Sequence, residues 1–344
     1  ELHAHINGSI SENTVRKLIK LKQEKCGGTA DELDISLFLN RSTSKTLAQW
    51  FDVFKLIHKI CDSEEAAYIV TKDVIREFAD DNVKLLELRS TPRAEASTGM
   101  TKEGYVEAVV RGIQDCKKLG IDCDVRLLLS VDRRRDLQDA YDTVKLAESF
   151  ANKHPGLIVG LDLSGDPTAG DWKELLPVLQ DAKRRGLRLA MHLAEVSNRN
   201  EETLSLLSLP PDRIGHGTFL HPEVGGTQEI VNAVCAKKIP IEACITSNLC
   251  SETVKTPLEH QFGYWYKQGH PCTLCTEDKG VFSTSLSNEY FIAGEVFHLS
   301  TQQLYDISYS AIDTSFVDYN TKTGLQERWS KWRKDNNDMF DFES

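Results

Sequence analysis

The chain has 344 residues, of which 40% are hydrophobic and 27% charged, with a net charge of −11 and a pI of about 5.5. That balance provides for a sizeable core and excludes a chain disordered throughout. It also excludes broad binding to nucleic acid or an anionic membrane, because both demand a cationic surface; an anionic small ligand would need its own local cations. Nine cysteines make an odd count, and several lie in apolar runs, such as Cys123 and Cys244. They predict reduced, buried thiols in a cytoplasmic protein. No apolar run approaches the roughly 20 residues of a membrane helix, and no basic-plus-apolar leader is present.

Short β-rich runs recur along the chain, separated by amphipathic stretches of helical length. The expected strands are Glu1 to Asn7, Val83 to Ser90, Cys123 to Val131, Leu157 to Leu163, Leu187 to Leu193, Arg213 to Phe219, Pro240 to Thr246 and Cys272 to Thr276. Between them, Ala66 to Asp80, Lys102 to Leu119 and Asp171 to Arg185 carry apolar residues at three- and four-residue spacing, as helices packed on a sheet require. Thr29 to Lys45 reads as a polar surface excursion, and Asp335 to Ser344 as a solvated acidic end. No repeat or flexible linker divides residues 1–344, so one domain is expected. Repeated βα units predict a parallel sheet, and eight of them predict an α/β fold closed into a (β/α)8 TIM-type barrel with extra helices.

The expected strands end in His-Ala-His-Ile-Asn, Arg-Ser-Thr-Pro-Arg, Val-Asp-Arg-Arg, Leu-Ser-Gly-Asp, His-Leu-Ala-Glu, Gly-His-Gly, Thr-Ser-Asn and Thr-Glu-Asp. In a parallel barrel these ends share one face, where such enzymes work. His3 and His5, two apart on a strand, project to the same side and can grip one cation. Alone the pair is weak evidence, and His192 could be an ordinary core histidine. Three histidines on strand ends of one barrel make zinc the better explanation, with a carboxylate from Thr-Glu-Asp completing an N3O set. Glu195, three residues past His192, falls in the next turn beside a metal, which suits a general acid/base. His216 lies between two glycines, where a side chain can closely approach water or substrate. Arg89 and Arg93 bracket Ser-Thr-Pro, a set able to hold a phosphate dianion. Because Pro92 breaks the strand, Arg93 is the phosphate candidate, and Arg89 is expected in a surface or barrel-end ion pair with Glu87 or a neighbour.

These residues resemble a known family. His-x-His, His-x-x-Glu, Gly-His-Gly and a terminal carboxylate pair, in that order, are similar to the adenosine and AMP deaminases. Glu1 to Ser9, Glu87 to Arg93 and Gly160 to Pro167 most resemble its adenosine-deaminase-like branch, which acts on N6-methyl-AMP. The resemblance implies that His3, His5 and His192 ligate zinc, one Zn2+ per chain, that Glu195 is the proton donor and that His216 assists the water. It also implies substrate contacts from His5, Asn7, His58, Ser90, Thr91, Pro92, Arg93, Asp132, Gly165 and Asp278. The implied reaction is hydrolytic attack of water at C6 of a purine nucleotide, with Glu195 protonating N1 and His216 and Asp278 orienting the water, converting N6-methyl-AMP to IMP and methylamine. Adenosine or AMP deamination, or purine-nucleotide binding without catalysis, are the alternatives. The only partner expected is the small-molecule nucleotide, with the chain monomeric. The chain departs from the family at Glu277-Asp278, where relatives carry Asp-Asp. By position Glu277 is the ligand, its extra methylene absorbed by a small shift of the loop or else leaving zinc held less well; a third reading makes Asp278 the ligand, which alternation along a strand disfavours.

Two rival patterns are present. His221-Pro222-Glu223 with Pro271-Cys272-Thr273-Leu274-Cys275 mimics the zinc signature of nucleobase deaminases. However, the cysteine pair falls in the strand leading into Thr-Glu-Asp, far along the chain from Glu223. A two-metal amidohydrolase would also open with His-x-His, but it usually uses a carboxylated lysine after the fourth strand, and Gly160 to Asp166 contains none.

Overall fold

The computed structural model describes residues 1–25, 35–39 and 47–343. Eight parallel strands follow one another in chain order around a single sheet: β1 (Ala4–His5), β2 (Leu85–Ser90), β3 (Asp124–Asp132), β4 (Ile158–Ser164), β5 (Arg188–Leu193), β6 (Arg213–His216), β7 (Ile241–Ala243) and β8 (Cys272–Leu274). The barrel closes where Ala4 pairs in parallel with Glu277: His5 N–H donates to the Glu277 carbonyl at 2.9 Å, and Glu277 N–H donates to the His3 carbonyl at 2.8 Å. A closed sheet of short strands leaves no edge to protect.

The helical layer follows from the sequence periodicity. Helix Glu64–Asp80 starts at Ser63, whose hydroxyl accepts from Ala66 N–H, and buries Ala66, Val70, Val74, Ile75 and Phe78 on one stripe. Each large buried side chain there contributes about 1.5–3 kcal/mol. Its neighbour Lys102–Lys118 is capped by Thr101 and brings Gly112 against Thr71, close enough that a Cβ at 112 would meet the Thr71 side chain at 3.0 Å.

Alternate strand residues point into the barrel, and here that interior is charged at its centre. Glu87, Arg89, Asp162, Arg213 and Glu242 are all fully buried. They pair with one another although several come from strands that are not neighbours, which only the barrel axis permits. At the end opposite the strand C-termini, Glu87 accepts from Phe316 N–H at 2.5 Å and pairs with Arg213 at 2.6 Å. Arg213 in turn donates to the Thr314 carbonyl at 3.1 Å and lies 3.7 Å over the Phe316 ring. The segment 314–316 thus plugs the barrel floor.

Some expected boundaries move. The sixth strand stops at His216, because His216 and Gly217 take positive φ values of 62° and 59°. The seventh stops at Ala243, and Ile245–Cys250 turns helical. The acidic end is not simply solvated: Asn337–Glu343 coils into 3-10 turns, and Phe340 packs edge-on to Tyr305 and Trp332 beneath the Arg333 guanidinium. Of the expected surface excursion Thr29 to Lys45, all but residues 35–39 lie outside the described residues; Ser36–Leu39 is a short helix with Phe38 buried. Among the described residues no helix is long and apolar enough to cross a membrane.

Candidate active site

The polar strand ends do converge. From β1 and its approach come His3 and His5, and from β5 comes His192. Their three Nε2 atoms lie 3.3 Å (His3 to His5), 3.0 Å (His3 to His192) and 3.3 Å (His5 to His192) apart. Zinc–nitrogen bonds of about 2.0–2.1 Å in tetrahedral array would set such nitrogens roughly 3.3 Å apart, so the tripod has the dimensions of a zinc site. Glu277 supplies a fourth group: its Oε1 lies 3.6 Å from His192 Nε2 and 3.1 Å from His216 Nε2. Among the described residues, His3, His5, His192 and Glu277 form one potential metal cluster, and His216, Cys244 and Glu277 an overlapping one. An N3O set of this kind suits Zn2+. Burial holds His5 neutral, down to about 4, and drives His3 well below the usual imidazole range, with Arg89 adding to the effect. Neutral imidazoles are what a cation requires. At His192 burial pulls the same way, but the Asp162 and Glu277 carboxylates beside it prevail and raise it well above the usual imidazole range, so there a cation would take the place of a proton.

The opposite ring nitrogens are also anchored. His3 Nδ1 faces Glu242 at 2.9 Å, and His192 Nδ1 meets Asp162 at 3.1 Å and the Leu163 carbonyl at 2.9 Å. These contacts fix which nitrogen faces the tripod and orient each ring. Sequence reasoning missed Asp162 and Glu242; the signal was a lone carboxylate in an otherwise apolar strand, in Gly-Leu-Asp-Leu and Pro-Ile-Glu-Ala. It also missed Ser247, whose hydroxyl donates to Glu277 Oε2. Arg89 corrects an expectation. It is neither at the surface nor paired with Glu87, but sits inside the barrel between Asp162 and Glu242.

Strand alternation also fails as a guide to residues 277 and 278. Glu277 has φ 59°, and Asp278 N–H donates to the Thr276 carbonyl at 2.8 Å. This is a tight three-residue turn, and both carboxylates face the cavity. His216 is built the same way, with φ 62° and a 2.9 Å bond from Gly217 N–H to the Gly215 carbonyl. Non-glycine residues at positive φ in so tight a turn carry strain that surrounding structure must over-determine.

Above the tripod lies a cavity of about 210 Å³. It is lined by His5, Asn7, His58, Ser90, Thr91, Arg93, Asp132, Gly165, His192, Glu195, Glu277 and Asp278, while His3 and His216 sit beneath its floor. Pro92 does not line it; its carbonyl instead accepts from Arg135. Trp50, Phe54 and His58 recur every fourth residue on helix Leu47–Ile60 and roof the cavity. Trp50 meets the Phe282 ring edge-on at 5.1 Å and donates to the Cys250 carbonyl at 3.0 Å.

Burial raises the Glu195 carboxyl, and the nearby Glu277 charge adds to the rise. The same two causes push Asp278 well above the usual range, and its Oδ1 is buried without a hydrogen-bond partner. Burial opposes ionisation of Glu277, but the histidines beside it prevail and hold it well below. The cavity thus sets one ionised carboxylate beside two that favour the protonated form, the kind of division that acid/base chemistry uses. Close packing demands glycine at two points. A Cβ on Gly8 would lie 1.6 Å from Asp278 Oδ1, and one on Gly165, already at φ 98°, would lie 2.3 Å from Asp132 Oδ1. At the other end of the cavity, Arg93 donates to the Cys61 carbonyl, and Arg134 grips Asp132 with two nitrogens, at 2.9 and 2.6 Å.

The rival cysteine pattern is not assembled. Cys272 and Cys275 are free and buried, and His221 stacks on Tyr264 with ring centroids 3.9 Å apart.

Comparison with known proteins agrees with this geometry. The Adenosine deaminase family model matches residues 1–332. The N6-Methyl-AMP deaminase of Danio rerio is 50% identical over 335 residues, covering 97% of this chain and 94% of that protein. The Homo sapiens N6-Methyl-AMP deaminase is 48% identical over 330 residues, covering 96% and 92%. The crystal structure of Arabidopsis ADAL complexed with GMP matches with a TM-score of 0.87 at 36% identity, over 96% of each chain. On the fold, the strand-end site and these relatives together, the chain belongs to the adenosine deaminase family of hydrolytic enzymes.

Proposed function

We propose that the protein deaminates N6-methyl-AMP to IMP and methylamine, using one zinc ion per chain in a single barrel domain spanning residues 1–344. The observation that carries this is the meeting of three histidine Nε2 atoms and the Glu277 carboxylate beneath a cavity holding Glu195 and Asp278. Relatives at about half identity bear the name N6-Methyl-AMP deaminase, which supports the substrate. His3, His5, His192 and Glu277 would hold the zinc, which when bound makes water a good nucleophile near neutral pH by lowering its pKa to about 7. Glu195, whose hold on a proton burial strengthens, delivers that proton to purine N1 so that charge does not build up on the ring during attack at C6. His216 and Asp278 orient the attacking water. Asn7, Gly165 and Asp132 contact the nucleoside, a role that their position on the cavity wall supports, and Arg134 holds the Asp132 carboxylate. Arg93, with His58, Ser90 and Thr91, receives the phosphate at the cationic end of the cavity. Trp50 and Phe54 exclude bulk water from above. The free thiols support a cytoplasmic location, and the chain acts as a monomer.

The test is a panel of adenosine, AMP, N6-methyl-AMP and dAMP, following release of ammonia or methylamine with zinc measured on the same sample. N6-methyl-AMP should be turned over best by protein carrying one zinc. Zinc-loaded protein that releases no amine from any of the four would exclude the reading and leave a nucleotide binder.

A further inference from the structure

We propose that Arg89 is a positioning residue that couples two of the metal-facing histidines to each other, so that neither can be reoriented without disturbing the other. Its guanidinium is fully buried on the barrel axis. Nη1 meets Asp162 Oδ1 at 3.1 Å, and Nη2 meets Glu242 Oε2 at 2.5 Å and the Leu2 carbonyl at 3.0 Å. Asp162 Oδ1 is the same atom that faces His192 Nδ1, and Glu242 Oε2 the same that faces His3 Nδ1. A single planar fork therefore stands behind two rings that come from β5 and from the approach to β1. An arginine suits the position because its two donors are held at a fixed separation, which an ammonium cannot reproduce.

The surrounding charges make the tether hard to replace. Glu242 Oε1 is held by Arg213 Nε at 2.5 Å, and Arg213 is held in turn by Glu87 at 2.6 Å. Three buried carboxylates thus face two guanidinium groups, and the surplus negative charge lies on the side of the histidines. If Asp162 loses its charge, the guanidinium shifts towards Glu242 and with it the support of His3; if Glu242 loses its charge, Asp162 and His192 are disturbed. Either single change should upset both rings, and the second change should add little.

The inference rests on the zinc reading above, and the experiment separates the two. Asp162→Asn, Glu242→Gln and the double variant are stripped of metal with a chelator. Zn2+ affinity is then measured by competition with a chromophoric chelator, and the Co2+ ligand-field spectrum is recorded for each. Each single change should lower affinity about 10–100-fold and give the same altered Co2+ spectrum. The double variant should lose far less than the product of the single losses, because the two sites share one tether. Arg89→Lys should lower affinity and alter the Co2+ spectrum in the same way. Single losses that multiply in the double variant, or Co2+ spectra that differ between the two single variants, would overturn the coupling while leaving the zinc site standing. A parent protein that binds no Zn2+ would overturn both. Should Arg89→Lys fail to fold, the two carboxylate variants and their combination still decide, since both keep Arg89.

Discussion

Burial and the Glu277 charge raise the Glu195 carboxyl above its ordinary range, and it stands close to the tripod without belonging to the metal cluster. Glu195→Gln keeps the shape and removes the acid, so zinc content should stay unchanged while kcat falls about 10²- to 10⁴-fold; near-normal turnover would remove Glu195 from the mechanism. Glu277 carries the chain's departure from the Asp-Asp pattern. Its carboxylate is held by Ser247 on one oxygen and faces His216 on the other, so the longer side chain is already accommodated. Glu277→Asp should retain zinc and activity, Glu277→Ala should lose both, and Asp278→Ala should keep its zinc. An emptied site in Asp278→Ala alone, with Glu277→Ala still loaded, would reverse the assignment. Gly8 leaves no room for a side chain, since a methyl group there occupies the space of Asp278 Oδ1. Gly8→Ala should retain zinc yet lose about 10²-fold in kcat/KM, the cost of a misplacement on the order of 1 Å; unchanged kinetics would show that Asp278 moves aside freely.

Helix Leu47–Ile60 shows how an element sets the chemistry of a residue it carries. His58 lies in its last turn, where the helix dipole favours a charged imidazole by about 0.3–1 kcal/mol. Burial and the facing Arg93, Arg134 and Arg135 outweigh that and hold His58 at about 4. Because this lies below the unfolded value of about 6.5, the unfolded chain takes up the proton first as pH falls. The His58 contribution to stability is therefore lost between about 6.5 and about 4. In an NMR titration the His58 ring should stay neutral down to about 4 in the free protein. Its midpoint should rise when IMP is bound, as the phosphate offsets the three arginines. A free midpoint near 6 would mean that burial and the three arginines do not bear on the ring, and one that IMP leaves unmoved would place the phosphate elsewhere.

At the scale of the whole molecule, a line of buried charge joins the functional end of the barrel to its floor: His3, Glu242, Arg213, Glu87 and the Phe316 backbone. A barrel centre filled with ion pairs is not in itself stabilising relative to an apolar one, but removal of one partner strands a charge where water cannot reach it. Glu87→Gln removes one of the two carboxylates on Arg213 while Glu242 stays at 2.5 Å, so it should lower unfolding free energy in urea by about 1–3 kcal/mol, the cost of a weakened buried hydrogen-bond set. A change below about 1 kcal/mol would mean that the floor relaxes and admits water.

Much of this could be read along the chain. The alternation of strands and helices, the order of the strands and the polar residues at their ends all follow from periodicities of two and of about 3.6, which are local properties, and His3, His5, His192 and Glu195 were legible for that reason. The end of β6 was not, since a left-handed residue such as His216 has no local marker when it is not glycine, and neither was the end of β7, where the chain turns into helix Ile245–Cys250. Nor was the place of Arg89: near Glu87 in sequence it suggests a local pair, yet its partners are Asp162 and Glu242. Those partners are brought to it only by closure of the barrel, which places residues far apart in the chain around one dry axis, where a charge must find its opposite at whatever sequence distance it lies.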